Sequence, residues 1–302
     1  MIVVFGSVNV DLVARVERFP HPGETLTGSD HIVAAGGKGA NQALAARRMG
    51  ADVVFIGATG NDAFADLALA HLRRDGVSLD HAVRTKGSTG LAFITVDSYG
   101  ENQIVLSPGA NGKLTAAALD QLTVKPNDIL LVQGEVSMTE TERALAWARE
   151  RGMRRLLNLA PAVPVSSRLL SHVDILIVNE AELRQVAERM GLSGSAALTA
   201  EELATELGLG VVVTLGALGA VAHVDGEVAR APGFPVTPVD TTGAGDAFVG
   251  AFAAALDAGR SLMEAVRLGC AAGSLACLKE GAQPSLPTRE EVERVLTEPA
   301  AS

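Results

Sequence analysis

Aromatic side chains make up only 3% of the 302 residues, with one Trp and one Tyr. Platforms on which successive bases could stack are therefore nearly absent. Lys and Arg number 25 against 35 Asp and Glu, and the net charge of -10 argues against general binding to a phosphate backbone. One small anion held by local backbone dipoles is still compatible with that balance. Cysteine is limited to Cys270 and Cys277, too few for a disulfide framework, which points to a reducing compartment and a cytoplasmic location. The longest small-and-apolar run, Ala247 to Leu256, is too short to span a bilayer. No basic segment precedes the apolar run Ile2 to Phe5, so the opening reads as a first strand and not as an export signal. The P-loop, dinucleotide, zinc-protease, CxxC and nucleophile-elbow signatures are all missing. Nucleic-acid and membrane partners are not expected.

What is present is a regular alternation. Apolar strands are expected at Ile2–Phe5, Val53–Ile56, Ile129–Val132, Leu156–Leu159, Ile175–Val178 and Val211–Leu215. Helical patterns fall between them at 40–49, 63–74, 140–151 and 181–190, and at 245–256, 262–278 and 289–296 near the end. Strands without a polar face, alternating with helices, indicate a mostly parallel sheet covered on both sides, a three-layer α/β/α arrangement. No repeat or linker divides the chain, so residues 1–302 are expected to form one domain. Two stretches break the rhythm, 11–35 and 89–106, each with β-ribbon patterning around turn residues. Neither has enough apolar length for a core of its own. They are expected to form one small sheet that projects from the body as a lid.

The most informative segment is Asp240-Thr241-Thr242-Gly243-Ala244-Gly245-Asp246. Two glycines one residue apart allow a sharp turn, and an Ala/Phe helical pattern follows at once. Amides at Gly243, Ala244 and Gly245 can then converge on an anion. Asp246 in the same turn suits a base that takes a hydroxyl proton beside that anion. An ordinary helix-start acid is the plainer alternative. A second cluster, Gly36-Gly37-Lys38-Gly39-Ala40-Asn41, also opens a helix. Asn9 and Asp11 lie just past the first strand, where such sheets carry ligands, and their side chains suit vicinal hydroxyls. Asn179 and Glu182 have capping-box spacing. The glycines of Thr214-Leu215-Gly216-Ala217-Leu218-Gly219 follow a strand and permit close approach.

Together these motifs resemble the ribokinase family of sugar and nucleoside kinases, from the first strand to Pro287. The resemblance implies ATP-dependent phosphorylation of D-ribose at O5, with Asp246 as base and the amides of Gly243, Ala244 and Gly245 as anion hole. It implies sugar contacts from Asn9, Asp11, Gly36, Gly37, Lys38, Asn41 and Glu135, and nucleotide contacts from Asn179, Thr214, Gly216, Gly219 and Gly245. Magnesium would be held by Glu182 through water. Potassium would be caged by Asp240, Thr242, Ala276, Lys279, Gly281 and Ser285. A homodimer paired through the lid is implied as well. Fructose, deoxyribose or a nucleoside is the alternative acceptor, and a non-catalytic sugar-binding protein is the alternative of another class. Two departures stand out. Leu159 replaces a proline in Asn158-Leu159-Ala160-Pro161. Cys270 stands where the family often has His or Asn beside the base, which suggests loose nucleotide selectivity. Cys277 reads as a packing residue.

Overall fold

The structure, a computed structural model, describes residues 1–191 and 196–297. Its frame is an eight-stranded sheet in the order Val53–Ile56, Ile2–Phe5, Ile129–Gln133, Arg154–Asn158, Ile175–Asn179, Gly210–Thr214, Ala220–Val224, Glu227–Ala231. The first six run parallel, and the last two are added through antiparallel pairing. The side-chain period of two sends alternate residues to opposite cores. Ile2, Val4, Ile129, Leu131, Leu156 and Ile177 enter one cluster with the helices Lys38–Arg48, Ala244–Asp257 and Leu262–Ala276. Val3, Phe5, Leu130, Val132, Leu157 and Val178 enter the other, with Met138–Glu150, Glu180–Met190 and Ala196–Leu207. Both faces are apolar because both are covered, which gives the expected three layers. No described helix is long and apolar enough to cross a membrane.

Three local features differ from the sequence reading. The helix expected at 63–74 divides at Leu69. The helix Ala196–Leu207 was not anticipated. Nor was the hairpin Ala220–Val224 to Glu227–Ala231, which turns at Asp225 and Gly226 with φ of 53° and 78°. Its Asp-Gly pair is the two-residue turn signal that matches the twist of antiparallel strands.

The lid is a four-stranded sheet in the order Ile32–Gly36, Asn9–Arg15, Gly90–Val96, Asn102–Ser107. The two irregular stretches do combine, and pairing begins two residues earlier than expected, with Asn9 opposite both Gly36 and Gly90. Register puts Val33, Leu12, Phe93 and Val105 in one row across the sheet, and Ile32, Val13, Ile94 and Ile104 in the next. Adjacent rows face opposite sides. Phe93 is 47%, Ile104 52% and Val105 67% exposed, so each face of the lid presents apolar surface to solvent.

In the main sheet, the chain runs from Ile2–Phe5 to one neighbour, Val53–Ile56, and later returns on the other side at Ile129–Gln133. Such a reversal opens a crevice at the carboxyl ends of the strands. The helix Lys38–Arg48 packs beside it against Ala244–Asp257 at very short range. A Cβ at Gly250 would stand 2.4 Å from Ala45 Cβ and 2.7 Å from the Gln42 carbonyl oxygen. Gly250→Val should therefore destabilise the protein by about 1–3 kcal/mol or more through overpacking. Urea unfolding would measure it, and an unchanged midpoint would contradict this packing.

Candidate active site

Two helix N-termini meet at the crevice, and hydrogen bonding distinguishes them. At Lys38–Arg48 the first amides are consumed within the protein. Lys38 N donates to Glu135 Oε2 at 3.0 Å, Gly39 N to Ser7 Oγ at 3.2 Å and Ala40 N to the Ser7 carbonyl at 2.9 Å. Ser7 Oγ in turn donates to Glu135 Oε2 at 2.6 Å. Glu135 thus anchors the Lys38 backbone. At Ala244–Asp257, Gly243 caps the helix in the left-handed region with φ 80°. Among the described residues no acceptor meets the N–H of Gly243, Gly245 or Asp246. Ala244 corrects the expected trio, since its N–H is turned to the Thr241 carbonyl at 3.2 Å. The open amides are those of Gly243, Gly245 and Asp246, and the space off Gly245 is clear to 4 Å.

Asp246 is 7% exposed and both of its oxygens accept. Asn41 Nδ2 donates to Oδ2 at 2.9 Å and Gln42 Nε2 to Oδ1 at 2.8 Å. Asn9 is buried, with its Oδ1 accepting from Asn111 Nδ2 at 2.7 Å. Asn111 also clasps Val8 through N and O. Asp11 fits only because Gly36 has no side chain, as a Cβ there would come within 2.3 Å of Asp11 Oδ2. A Cβ at Gly37 would meet Asn9 N at 2.8 Å. Burial pushes the Asp11 carboxyl up to about 7, helped by Glu135 and Asp246 and opposed by Lys38. The Lys38 ammonium is held above its ordinary value, first by Asp246, with Glu135, Glu182 and Asp11 adding and burial opposing.

Two cavities adjoin this cradle. A chamber of about 240 Å³ is lined by Lys38, Asn158, Asn179, Glu182, Gly243 and Asp246, among others. A slot of about 470 Å³ is lined by Gly216, Gly219, Phe234, Pro235, Val236 and Phe248, among others. Thr214, Thr241 and Gly245 belong to both. A long ligand with an apolar end and an anionic end can thus run from slot to chamber past the open amides. Gly219 also has a structural duty, since a Cβ there would strike the Ala231 carbonyl oxygen. Cys270 and Cys277 both border the slot, which corrects the assignment of Cys277 to core packing. Burial pushes the Cys270 thiol up to about 12.

Residues suited to cations fall in two groups. Asn179 and Glu182 form a reciprocal capping box, with both hydrogen bonds at 2.8 Å. They also border the chamber. Burial raises the Glu182 carboxyl. Burial opposes the charge of Asp240, yet hydrogen bonds from Thr242 and Gly281 prevail and hold it low. Its Oδ1 takes Thr242 N at 2.9 Å and Oδ2 takes Gly281 N at 2.8 Å, which ties the two loops together. Ser285 Oγ gives its proton to the Ala282 carbonyl at 2.8 Å, leaving lone pairs for a cation. The Lys279 ammonium is turned to Glu291 at 3.1 Å, so only its carbonyl is suited to a cation. Ala276, fully buried, ends the helix beside this loop. The loop touches the anion hole, as a Cβ at Gly243 would stand 3.0 Å from Ala282 Cα. These oxygens fit hard cations.

The sequence reading missed Ser7, Gln42 and Gln133 and gave Asn111 no role. Gln42 follows Asn41 directly in the sequence. Each of the four has a partner 91 to 204 residues away, so no local pattern marks them.

Comparison with known proteins agrees with this geometry. Residues 1–289 match the family model described as pfkB family carbohydrate kinase. The chain is 39% identical over 294 residues to the ribokinase of Haemophilus influenzae, covering 96% of each. It is 36% identical over 301 residues to the Bacillus subtilis ribokinase, covering 98% of this chain and 99% of that one. Among solved structures, ribokinase from Thermotoga maritima superposes with a TM-score of 0.91 at 37% identity, covering 98% and 99%. Arabidopsis thaliana ribokinase complexed with ribose and ATP superposes at 0.88 with 32% identity, covering 99% of both.

The displaced titration of Asp11 can be read directly. In carbon-13 NMR of the ligand-free protein, one carboxyl should titrate with a midpoint near 7, and Asp11→Asn should remove it. A midpoint in the ordinary carboxylate range would contradict the burial described.

Proposed function

The chain belongs to the pfkB family of carbohydrate kinases, and on that premise we infer that it transfers the γ-phosphoryl group of ATP to O5 of D-ribose. The observation that carries this reading is the buried carboxylate of Asp246 on the wall between the polyol cradle and the phosphate chamber. Identity to several ribokinases over nearly the whole chain favours ribose over fructose, deoxyribose or a nucleoside. A sugar-binding protein without turnover would have no use for a base there.

Ribose hydroxyls donate to Asp11 and exchange hydrogen bonds with Asn9 and Asn41, while Gly36 and Gly37 line the ring. O5 points at Asp246. As the bond from O5 to Pγ forms, the O5 proton passes to the Asp246 carboxylate. The bond from Pγ to the bridging oxygen breaks, and its electron pair leaves with ADP. The amides of Gly243, Gly245 and Asp246 face the charge that develops on the transferring group. Lys38 meets the same charge from across the chamber. Adenine lies in the slot, and Thr214, Gly216 and Gly245 border the path of its phosphates. Magnesium, when bound, neutralises charge on the phosphates; Asn179 and Glu182 would hold it, Glu182 through water. A monovalent cation would sit among Asp240, Thr242, Ser285 and the carbonyls of Ala276, Lys279 and Gly281, where its charge steadies the anion-hole backbone.

The lid supports assembly as a homodimer. Its exposed Phe93, Ile104 and Val105 leave apolar surface and strand edges uncovered, a liability that a two-fold partner removes. Sedimentation at micromolar concentration should show twice 31.1 kDa. A monomer throughout that range would refute the dimer and leave the catalytic reading untouched.

Phosphorus NMR should identify ribose 5-phosphate as product, and a higher kcat/KM on fructose or a nucleoside would refute the ribose assignment. Asp246→Asn should lower kcat at least about a hundredfold, with ribose and ATP affinities retained by calorimetry. Near-normal turnover would mean that Asp246 only caps a helix. Potassium added to a sodium-free and potassium-free assay at constant ionic strength should raise the rate, and no change would refute the cation site.

A further inference from the structure

Behind Asp246 lies a chain of amides that the transfer step does not use. Gln133 and Gln42 are fully buried. Gln133 Nε2 donates to Gln42 Oε1 at 2.8 Å. Gln42 Nε2 donates to Asp246 Oδ1 and to Asn158 Oδ1, each at 2.8 Å. Asn158 Nδ2 donates to the Ile177 carbonyl at 3.0 Å. The chain joins the ends of two strands, the helix Lys38–Arg48 and the helix Ala244–Asp257.

Its polarity is determined from both ends. A carboxylate only accepts, so Gln42 must turn its NH2 toward Asp246. Its carbonyl then faces Gln133, which must present its own NH2. The Ile177 carbonyl also only accepts, so Asn158 turns its NH2 there and its oxygen to Gln42. Every amide between the two ends has one orientation. Room for Gln133 is reserved as well, because a Cβ at Gly6 would fall within 2.0 Å of its Oε1.

We propose that Gln42 is the positioning residue of the base, locking the Asp246 carboxylate through a hydrogen-bond chain anchored on Gln133 and Asn158. This rests on Asp246 being the base. The terminal torsion of a carboxylate has broad wells. One donor, Asn41 on Oδ2, leaves it free to rock, and that donor sits where sugar arrives. A second donor on Oδ1, reached from inside the protein, fixes the carboxylate plane before sugar binds. Phosphoryl transfer depends mainly on such placement.

The test separates placement from folding and from binding. Gln42→Leu should lower kcat about tenfold or more, as expected for losing a hydrogen bond to a charged group, with ribose and ATP affinities retained. Gln42→Glu is nearly isosteric and puts a second carboxylate against Asp246, so the two should share one proton. Lys38, Asp11 and Glu182, the other charges around Asp246, are unchanged in that variant. Its turnover should therefore fall as pH rises and the shared proton is lost, relative to the unaltered enzyme. A purely structural role would lower the melting temperature and leave kcat and its pH profile as they were, which would overturn the proposal. Gln133→Leu cuts the anchor, keeps Gln42, and should lower kcat by a smaller factor; an unchanged kcat there also counts against it. The unaltered protein provides a check that needs no variant to fold. Nitrogen-15 NMR should show the Gln42 side-chain NH2 strongly protected from solvent exchange, and exchange like that of an exposed glutamine would overturn the proposal. If Asp246→Asn is inactive while Gln42→Leu is fully active, only the positioning role falls. If Asp246→Asn is active, the proposed function falls with it.

Discussion

The buried carboxylate of Asp246 is the group around which the rest is arranged. An isolated carboxylate is very costly to remove from water. Here it is offset by two amide donors, Asn41 and Gln42, and by its place in the first turn of a helix. Both donors belong to a different helix, so the two helices must approach closely enough for short side chains to bridge them. Ala45 and Gly250 make that approach possible. The packing of one layer is thus subordinate to the hydrogen bonding of one side chain.

The same closeness explains the concentration of charge. Lys38 is influenced by four carboxylates, Asp246, Glu135, Glu182 and Asp11. Two of these, Asp246 and Glu182, line the chamber, an arrangement that repels a ligand anion unless amides and cations compensate it. The open amides of Gly243, Gly245 and Asp246 supply part of that compensation, as does Lys38. Asp11 stands apart, at the root of the lid. Its carboxyl, raised to about 7, is ready to be drawn into its charged form by hydroxyl donors. The proposed sugar contacts Asn9 and Asp11 and the lid thus share one strand, Asn9–Arg15.

The proposed nucleotide slot would work on a different principle. The slot is bounded mainly by Phe234, Pro235, Val236, Phe248, Cys270 and glycines. Such walls select a flat apolar ring by shape. The thiol of Cys270 contacts the Ala231 carbonyl at 3.7 Å, so it is directed at the protein's own backbone and not at a base edge.

Much of this was legible in the sequence because it is encoded locally. Apolar runs without a polar face, alternating with helices, predict parallel strands covered on both sides, and turn residues mark the lid. The spacing of Gly243, Gly245 and Asp246 places a carboxylate beside a tight helix start. What the sequence could not show was which backbone amides stay open at its two glycine-opened helices, Gly36–Asn41 and Gly243–Asp246. Tertiary structure decides that, because Ser7 and Glu135 take the amides of the first, whereas among the described residues no acceptor meets the N–H of Gly243, Gly245 or Asp246. Gln42, Gln133 and Asn111 were invisible for the same reason. Each acts through a partner about a hundred or more residues distant. Local propensity and periodicity report what a residue does to its neighbours in the chain; a hydrogen bond across layers exists only once packing has brought its two ends together.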